Sequence, residues 1–250
     1  MEIKAIIFDL GGTLIEYAGT FAVWPDLETP GLKAAFRYLA AQGISLPDFE
    51  KFSSSAFQIL PRRWQMATGG ERNLQLLDFL EENLDACDVE NVSYEQLQQA
   101  AMRYEQTICA QAVPLEAAQE TLAILKGLGY QIGLLSNTMF SGAAHIADLK
   151  RFSLDGYFDA MLFSAEAGKW KPSPAPYLDL LNQLDIAPEK SVFVGDDPAN
   201  DIVGGQKAGL RTVLMRSSER FHLPGSVRPD ATIVHLSELP EVLSKWSNEN

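Results

Sequence analysis

The sequence predicts an α/β protein of three layers, a parallel sheet with helices on both faces, interrupted by an all-helical insert. Two observations predict this fold. From about residue 113 onward, apolar runs of β-forming residues alternate with amphipathic helical stretches, which is typical of a parallel sheet buried on both faces. Residues 31–112 instead carry only the periodicity of helices, and they separate the first strand from the others.

The first predicted strand ends on an acidic residue. β-Forming residues at 6–8 lead into Asp9, and Gly11, Gly12 and Thr13 then turn the backbone. Open α/β sheets bind their ligands at the carboxyl ends of the strands, so Asp9 is the first candidate for a chemical role. The alternative is that Asp9 only caps the turn that follows it.

A hinge is predicted directly after this strand. The strand pattern stops after Leu14, and residues 17–30 contain Gly19, Pro25 and Pro30. Because glycine and proline interrupt regular structure, we predict an irregular connection here.

The insert is predicted to hold three to five helices. Pro61 is expected to end one of them, and Ser93 with Gln96 forms a capping box at the start of another. No convincing strand pattern occurs in this part of the sequence. Helical spacing covers 32–39, 49–60, 74–84 and 93–108.

The remaining chain is predicted to complete the sheet. Further strands are predicted at 130–136, 160–164, 191–195, 211–215 and 231–235, and helices at 115–128, 143–151, 174–184, 198–208 and 239–246. The core domain is therefore assembled from residues 1–16 and 113–250, and the insert is residues 17–112.

Composition and charge exclude several classes of function. With 250 residues, 46% of them hydrophobic, the chain is long enough for a large core. Its net charge of −13 argues against binding to nucleic acid or to an anionic membrane, because both are negatively charged. No apolar run approaches the roughly 20 residues that cross a bilayer, and no signal-peptide pattern opens the sequence. A cytoplasmic protein is expected.

Cysteine and histidine provide no metal-binding pattern. Cys87 and Cys109 lie far apart, so reduced core residues are expected rather than a disulfide or a metal site. His145, His222 and His235 are scattered and form no ligand motif.

Polar residues stand at four places where a strand gives way to a loop. The carboxyl ends of parallel strands meet at one edge of a sheet, so these residues should converge on one cleft. Carboxylates suit Mg²⁺, a hydroxyl can bind a phosphate oxygen, and a lysine supplies the cation that an anionic ligand needs. The residues are Asp9; Ser136 and Asn137; Lys169 and Lys171; and Asp196, Asp197 and Asp201.

These positions fall in four motifs that resemble those of the haloacid dehalogenase-like hydrolase superfamily. In order, the motifs read F-D-x-x-G-T-L, L-L-S-N-T, G-K-W-K-P-S-P and V-G-D-D-P-A-N-D. Together with the insert, they resemble the subgroup with a helical cap after the first motif. The resemblance implies a Rossmann-like core, Mg²⁺ as cofactor, and hydrolysis of small-molecule phosphate monoesters through an aspartyl-phosphate.

The resemblance also assigns roles to the metal-binding motifs. It implies that Asp9 is the nucleophile and binds Mg²⁺ together with Asp196 and the carbonyl of Gly11. Asp201 would hold a metal-bound water or orient the motif lysine, and Asp197 would lie behind the ligands. Asp201 also suits a plain structural role, because an acid is favoured early in a helix.

The same resemblance places Ser136, Asn137 and Lys171 at the phosphate. Lys171, directly before Pro172, matches the motif better than Lys169 does. In related phosphatases this lysine neutralises the charge of the nucleophile and of the phosphate.

One position departs from the phosphatase pattern. Phosphatases of this family usually carry a second Asp two residues after the nucleophile, as general acid and base, and here that position is Gly11. Losing such a group lowers a rate by roughly 10²–10⁴-fold. Three hypotheses remain open. The first is a phosphatase that uses another acid, such as Glu16 or a cap residue, or that acts on good leaving groups. The others are a catalytically weak phosphate- and metal-binding regulatory protein and a metal-independent 2-haloacid dehalogenase.

Substrate specificity and assembly are less determined by the sequence. In this family the cap covers the site, so Arg62, Arg63, Trp64 and Arg72, near the expected break at Pro61, are candidates for contacting the leaving group. A solvated surface is the alternative for the arginines. Both a monomer and a homodimer fit the sequence.

Overall fold

The core is a six-stranded parallel sheet. The computed structural model describes residues 2–17, 24–216 and 221–248. Its long strands are β1 (Ala5–Phe8), β4 (Gln131–Ser136), β5 (Ala160–Phe163), β6 (Ser191–Gly195), β7 (Arg211–Met215) and β8 (Ala231–Ile233), in the order β5-β4-β1-β6-β7-β8. Two short strands, β2 (Ile15–Glu16) and β3 (Val113–Pro114), form a separate antiparallel pair.

Helices cover both faces of the sheet, which confirms the three-layer α/β prediction. The core helices are α5 (Ala118–Gly127), α6 (Gly142–Arg151), α7 (Ser164–Ala167), α8 (Pro174–Leu184), α9 (Val203–Lys207) and α10 (Leu239–Asn248). Successive strand residues point to opposite faces. Ile6 therefore packs with Leu122 of α5 on one face, whereas Ile7 packs with Leu180 of α8 on the other.

The helices between β2 and β3 bury an apolar cluster of their own. They are α1 (Trp24–Ala41), α2 (Phe49–Thr68), α3 (Leu76–Ala86) and α4 (Tyr94–Cys109). Met139, Phe140 and Trp170 from loops of the core also pack in this cluster. The division at 16/17 and 112/113 therefore stays a prediction, since the two parts share buried side chains.

The irregular connection predicted at 17–30 is wrong at its C-terminal end, and the end of the strand pattern before it is also wrong. The strand pattern does not stop at Leu14, because Ile15 pairs with Pro114 and Glu16 with Val113. Nor does an irregular connection extend to residue 30, because α1 begins at Trp24 and contains both prolines. A proline in the first turn costs little. Residues 18–23, which include Gly19, lie outside the described part of the chain.

Close helix packing explains why α1 tolerates its interior proline. A Cβ at Gly31, next to Pro30, would lie 2.5 Å from Cδ1 of Tyr104 in α4, so the two helices are in close contact there. Packing of this kind routinely outweighs helix propensity.

The predicted break at Pro61 is also wrong. Helix α2 continues through Pro61 to Thr68, because the residues after the proline, including Arg63 and Ala67, are buried against the other helices. Other differences are shifted boundaries: the helix predicted at 115–128 covers 118–127, the strand predicted at 231–235 ends at 233, and the helix predicted at 198–208 begins as a π-helix over 198–202.

Two smaller features bear on the sequence predictions. Cys87 and Cys109 are buried free thiols, as predicted. Among the described helices, none combines the length and the apolar character needed to cross a membrane.

The capping box at the start of α4 is confirmed and gives a stability prediction. The Ser93 hydroxyl accepts a hydrogen bond from the Gln96 N–H at 3.2 Å, and the Gln96 side chain accepts one from the Ser93 N–H at 2.9 Å. Ser93→Ala should lower the free energy of unfolding by about 1 kcal/mol in urea denaturation. Ser54→Ala, at an exposed position within α2, is the control and should cause no loss.

Candidate active site

The predicted site residues meet where the sheet changes its winding direction. Strand β1 lies between β4 and β6. The chain adds β4 and β5 on one side of β1, and then β6, β7 and β8 on the other side. Asp9 follows β1, Ser136 ends β4, and Asp196 follows β6. A crevice opens at this point of a parallel sheet, outside the carboxyl ends of the strands.

A buried lysine joins two of the acids. Lys171 Nζ lies 2.5 Å from Asp9 Oδ1 and 2.7 Å from Asp201 Oδ1, and the Lys171 residue is only 2% exposed. Burial by itself lowers the pKa of Lys171, but the charges of Asp201 and Asp9 outweigh burial and raise it. Lys171 is therefore charged at neutral pH.

The backbone of Lys171 is fixed by the neighbouring strand end. Its N–H donates to Asn137 Oδ1 at 2.9 Å, and the Asn137 amide donates back to the Lys171 carbonyl at 2.9 Å. Lys169, two residues earlier, points elsewhere and binds Asp179 at 2.5 Å. The structure therefore selects Lys171, rather than Lys169, as the lysine of the crevice.

Three carboxylates could hold a divalent cation. Asp9 and Asp201 are buried and Asp196 is half-buried. Each offers an oxygen, and these oxygens all lie within 4.8 Å of one another. Oxygen donors of this type suit Mg²⁺. Gly12 lets one of them approach closely: its φ is +80°, and a Cβ there would lie 2.2 Å from Asp196 Oδ2. The donor set therefore fits the predicted cofactor.

Asp201 and Asp197 support the cluster from behind. Asp201 Oδ2 accepts a hydrogen bond from the Asp197 N–H at 2.9 Å. Burial raises the pKa of Asp201 above its usual range, opposed by the charge of Lys171 and aided by the charges of Asp9 and Asp197. The Asp197 side chain accepts from the N–H groups of Ala199 and Asn200, which caps the following π-helix.

A cavity of about 230 Å³ opens above these groups. Its floor contains every residue predicted to bind metal or phosphate, together with the two acids predicted to lie behind them. The predicted ligands are Asp9, Gly11, Ser136, Asn137, Lys171 and Asp196, and the acids behind them are Asp197 and Asp201. Its walls come partly from the helical insert, which contributes Leu27, Glu28, Trp64 and Ile108. The core and the insert therefore enclose one space between them.

Comparison with known proteins identifies the family. A family model described as haloacid dehalogenase-like hydrolase matches residues 3–209. The chain belongs to the haloacid dehalogenase-like hydrolases. The match includes all four motifs of the crevice as well as the helical insert.

Individual relatives within these hydrolases differ in their names. A phosphoglycolate phosphatase of Aquifex aeolicus is 35% identical over 123 residues, 49% of this chain but only 55% of that protein. A glyceraldehyde 3-phosphate phosphatase of Methanothermobacter thermautotrophicus is 25% identical and covers 96% of this chain and 100% of its own length. A 2-haloacid dehalogenase structure from Pseudomonas syringae has a TM-score of 0.69 at 25% identity, covering 98% of this chain and 99% of that one.

The arginines predicted to contact substrate do not line the cavity of this hydrolase. Arg62 and Arg63 both form ion pairs with Glu82, and Arg63 also donates to the Asn73 carbonyl at 3.2 Å. Arg63 is 1% exposed because it neutralises an acid inside the insert. Arg72 is exposed and lies outside the cavity lining. Of the four candidates, only Trp64 lines the cavity.

The sequence reasoning missed a hydrogen-bonded chain beside the phosphate motif. His145 Nδ1 lies 2.8 Å from the Tyr17 hydroxyl, and its Nε2 lies 2.7 Å from Thr138 Oγ1; all three residues line the cavity. The one available signal was the place of His145 on the helix that follows the Ser136 strand. The missed chain links the end of β2 to the loop after β4.

His145 makes the stability of this hydrolase depend on pH. Burial lowers the pKa of His145 from 6.5 to about 4, so between these values the unfolded chain binds more protons than the folded one. The free energy of unfolding should therefore fall by up to about 3 kcal/mol as the pH drops from about 6.5 to 4. Urea denaturation at several pH values should show this part of the fall in the wild type and not in His145→Gln.

A second histidine provides the control for this measurement. His222 is exposed, so His222→Gln should reproduce the wild-type dependence on pH. If the free energy of unfolding falls with pH equally in the wild type and in His145→Gln, His145 is not the cause of this part of the pH dependence.

Proposed function

We propose that this protein is a Mg²⁺-dependent hydrolase of small-molecule phosphate monoesters that acts through an aspartyl-phosphate. One observation carries the proposal: the Asp9 carboxylate lies 2.5 Å from a buried lysine and within 4.8 Å of two further acids. Relatives named phosphoglycolate phosphatase and glyceraldehyde 3-phosphate phosphatase support it. The two names differ in the leaving group, so they support the reaction more than one substrate.

Each side chain of the crevice has a role in this reaction. Asp9 attacks the phosphorus and displaces the alcohol, whose oxygen takes up a proton, and water then hydrolyses the aspartyl-phosphate to inorganic phosphate and the free carboxylate. Lys171 reduces the repulsion between the carboxylate and the anionic phosphate. Ser136 and Asn137 bind the phosphoryl oxygens. Asp9, Asp196 and the Gly11 carbonyl would hold Mg²⁺, which supplies further charge neutralisation when bound. Asp201 keeps Lys171 in place through the contact at 2.7 Å.

The missing acid at position 11 distinguishes the alternatives. Among the described residues, a Cβ at Gly11 would lie 3.8 Å from the Tyr17 ring, which is an ordinary contact. Among the described residues of the lining, Glu16 and Glu28 are the carboxyl groups outside the aspartate cluster that could protonate a leaving group. A weak phosphate-binding protein is the second candidate, favoured by Gly11 alone. The dehalogenase alternative has in its favour the name of a structural relative that is 25% identical, and the acidic cluster around Asp196 against it.

Asp9→Asn tests the proposed nucleophile. Phosphate release from a panel of sugar and aryl phosphates should require Mg²⁺, stop with a chelator, and fall more than about a thousandfold in this variant, because an amide cannot serve as the nucleophile. Asp179→Asn changes an acid that pairs with Lys169 outside the crevice, and it should keep the wild-type rate.

The same assays separate the alternatives. Halide release from 2-haloacids in the presence of a chelator would replace the proposal with the dehalogenase. Thermal stabilisation by Mg²⁺ and vanadate without any turnover would contradict the proposed phosphatase and support the weak phosphate-binding protein.

Gly11→Asp tests whether the missing acid limits the rate. We expect kcat for alkyl phosphates to rise by about 10²-fold or more, since general acid catalysis contributes about 10²–10⁴. The gain should be smaller for 4-nitrophenyl phosphate, whose leaving group needs no proton. Gly11→Asn has the same size without the acid and should give no gain. An unchanged kcat in Gly11→Asp would mean that another group already supplies the proton.

A further inference from the structure

Trp170 ties the loop that carries Lys171 to the helical insert. It directly precedes Lys171, it is buried, and its indole N–H donates to Asn73 Oδ1 at 2.8 Å. Asn73 belongs to the insert, in the connection between α2 and α3. The ring of Trp170 also packs edge-to-face with Trp64 of α2. The residue before the lysine is therefore held from the side of the insert.

Asn73 holds this part of the chain at two points. Its Nδ2 donates to the Ala165 carbonyl in α7 at 2.9 Å, while its Oδ1 accepts from Trp170. An indole N–H can only donate and a carbonyl can only accept, so these two bonds fix which way the Asn73 amide points. Because Ala165 and Trp170 both precede Lys171 in one short stretch, a single side chain of the insert constrains the path that leads to the lysine.

Asn73 is itself anchored inside the insert. Its carbonyl accepts a hydrogen bond from Arg63 Nη2 at 3.2 Å, and the buried Arg63 forms an ion pair with Glu82. A guanidinium presents its donors in a fixed planar arrangement, so the ion pair also directs the N–H that reaches Asn73. Arg63, which the sequence offered as a contact of the leaving group, instead supports Asn73.

The core holds the other side of the lysine. Asn137, at the strand end of β4, exchanges two hydrogen bonds of 2.9 Å with the backbone of Lys171. The Lys171 side chain then reaches Asp9 and Asp201. Two amide side chains thus place the lysine, one directly from the core and the other from the insert through Trp170.

We propose that Asn73 and Trp170 are positioning residues that hold Lys171 against Asp9. The inference rests on the proposed function, in which Lys171 reduces the repulsion between Asp9 and the phosphate. Neither Asn73 nor Trp170 lines the cavity, so both act through the lysine. A misplacement of a catalytic group by about 1 Å can cost about 10²-fold in rate, so a hydrogen bond remote from the reacting atoms can have a large effect.

Variants of the two residues test this role through kcat/KM for 4-nitrophenyl phosphate. Trp170→Phe keeps an aromatic ring but loses the N–H donor, and Asn73→Leu keeps the size of the side chain but loses the acceptor. We expect each variant to lower kcat/KM by at least about tenfold. Asn73→Asp keeps an acceptor for Trp170, so it should recover most of the activity that Asn73→Leu loses.

Gln75→Met is the matched control for these variants. Gln75 Nε2 donates to the same Ala165 carbonyl at 3.0 Å, so this change also removes a hydrogen bond between insert and core. It leaves the bond between Asn73 and Trp170 in place, and kcat/KM should therefore stay at the wild-type value.

Chemical labelling shows whether the two residues act through Lys171. The Lys171 side chain is 2% exposed, so reductive methylation followed by mass spectrometry should modify it slowly in the wild type. Trp170→Phe and Asn73→Leu should raise the rate by about fivefold or more, because the loss of a hydrogen bond favours local opening. Lys150, exposed on α6, is the internal reference, and Gln75→Met should label like the wild type.

The outcomes separate this inference from the proposed function. An unchanged kcat/KM in Trp170→Phe, an equal loss in Gln75→Met, or a loss in Trp170→Phe with Lys171 labelled at the wild-type rate would overturn the positioning role, while turnover that depends on Asp9 would leave the phosphatase standing. No Mg²⁺-dependent release from any phosphate ester would overturn the proposed function, and the labelling rates would still test whether Asn73 and Trp170 place the lysine.

Discussion

The site depends on a cation, the Lys171 ammonium, buried between the carboxylates of Asp9 and Asp201. Burying an ammonium group is costly unless charged partners surround it, and removing one partner of such a group typically costs 3–5 kcal/mol. The partners come from distant parts of the chain. The sheet must therefore bring the ends of β1 and β6 together with the Lys171 loop before the lysine can be buried. The crevice is therefore assembled only when the core folds.

The helical insert is tied to that same loop. Trp170, next to Lys171, donates to Asn73 Oδ1 at 2.8 Å, and its ring packs edge-to-face with Trp64 at a centroid distance of 5.0 Å. The N–H of Leu76 also donates to the Met139 carbonyl at 2.9 Å. These contacts fix the walls of the cavity relative to its floor.

Gly11 and Gly12 are adjacent, but the backbone requires a glycine at only one of the two positions. Gly12 is required by the fold, because its φ is positive and a Cβ there would collide with Asp196. Gly11 has no positive φ, and within the described part of the chain a Cβ there makes an ordinary contact with Tyr17. The backbone therefore does not explain why position 11 lacks an acid, and the reason has to be sought in the chemistry of the leaving group or in a slow turnover.

The sequence by itself determined the alternation of strands and helices, the insert after the first strand, and the acids at the strand ends. These follow from local periodicity and from the rule that parallel strands end at one edge. It preferred Lys171 to Lys169 through the family motif alone, offered Arg63 either a contact with the leaving group or a solvated surface, and assigned no role to His145. Only the tertiary structure decided those, because the partner of a long polar side chain depends on which segments become neighbours. Arg63 forms an ion pair with Glu82 inside the insert, and Lys171 forms ion pairs with Asp9 and Asp201. No local sequence pattern predicts these pairs.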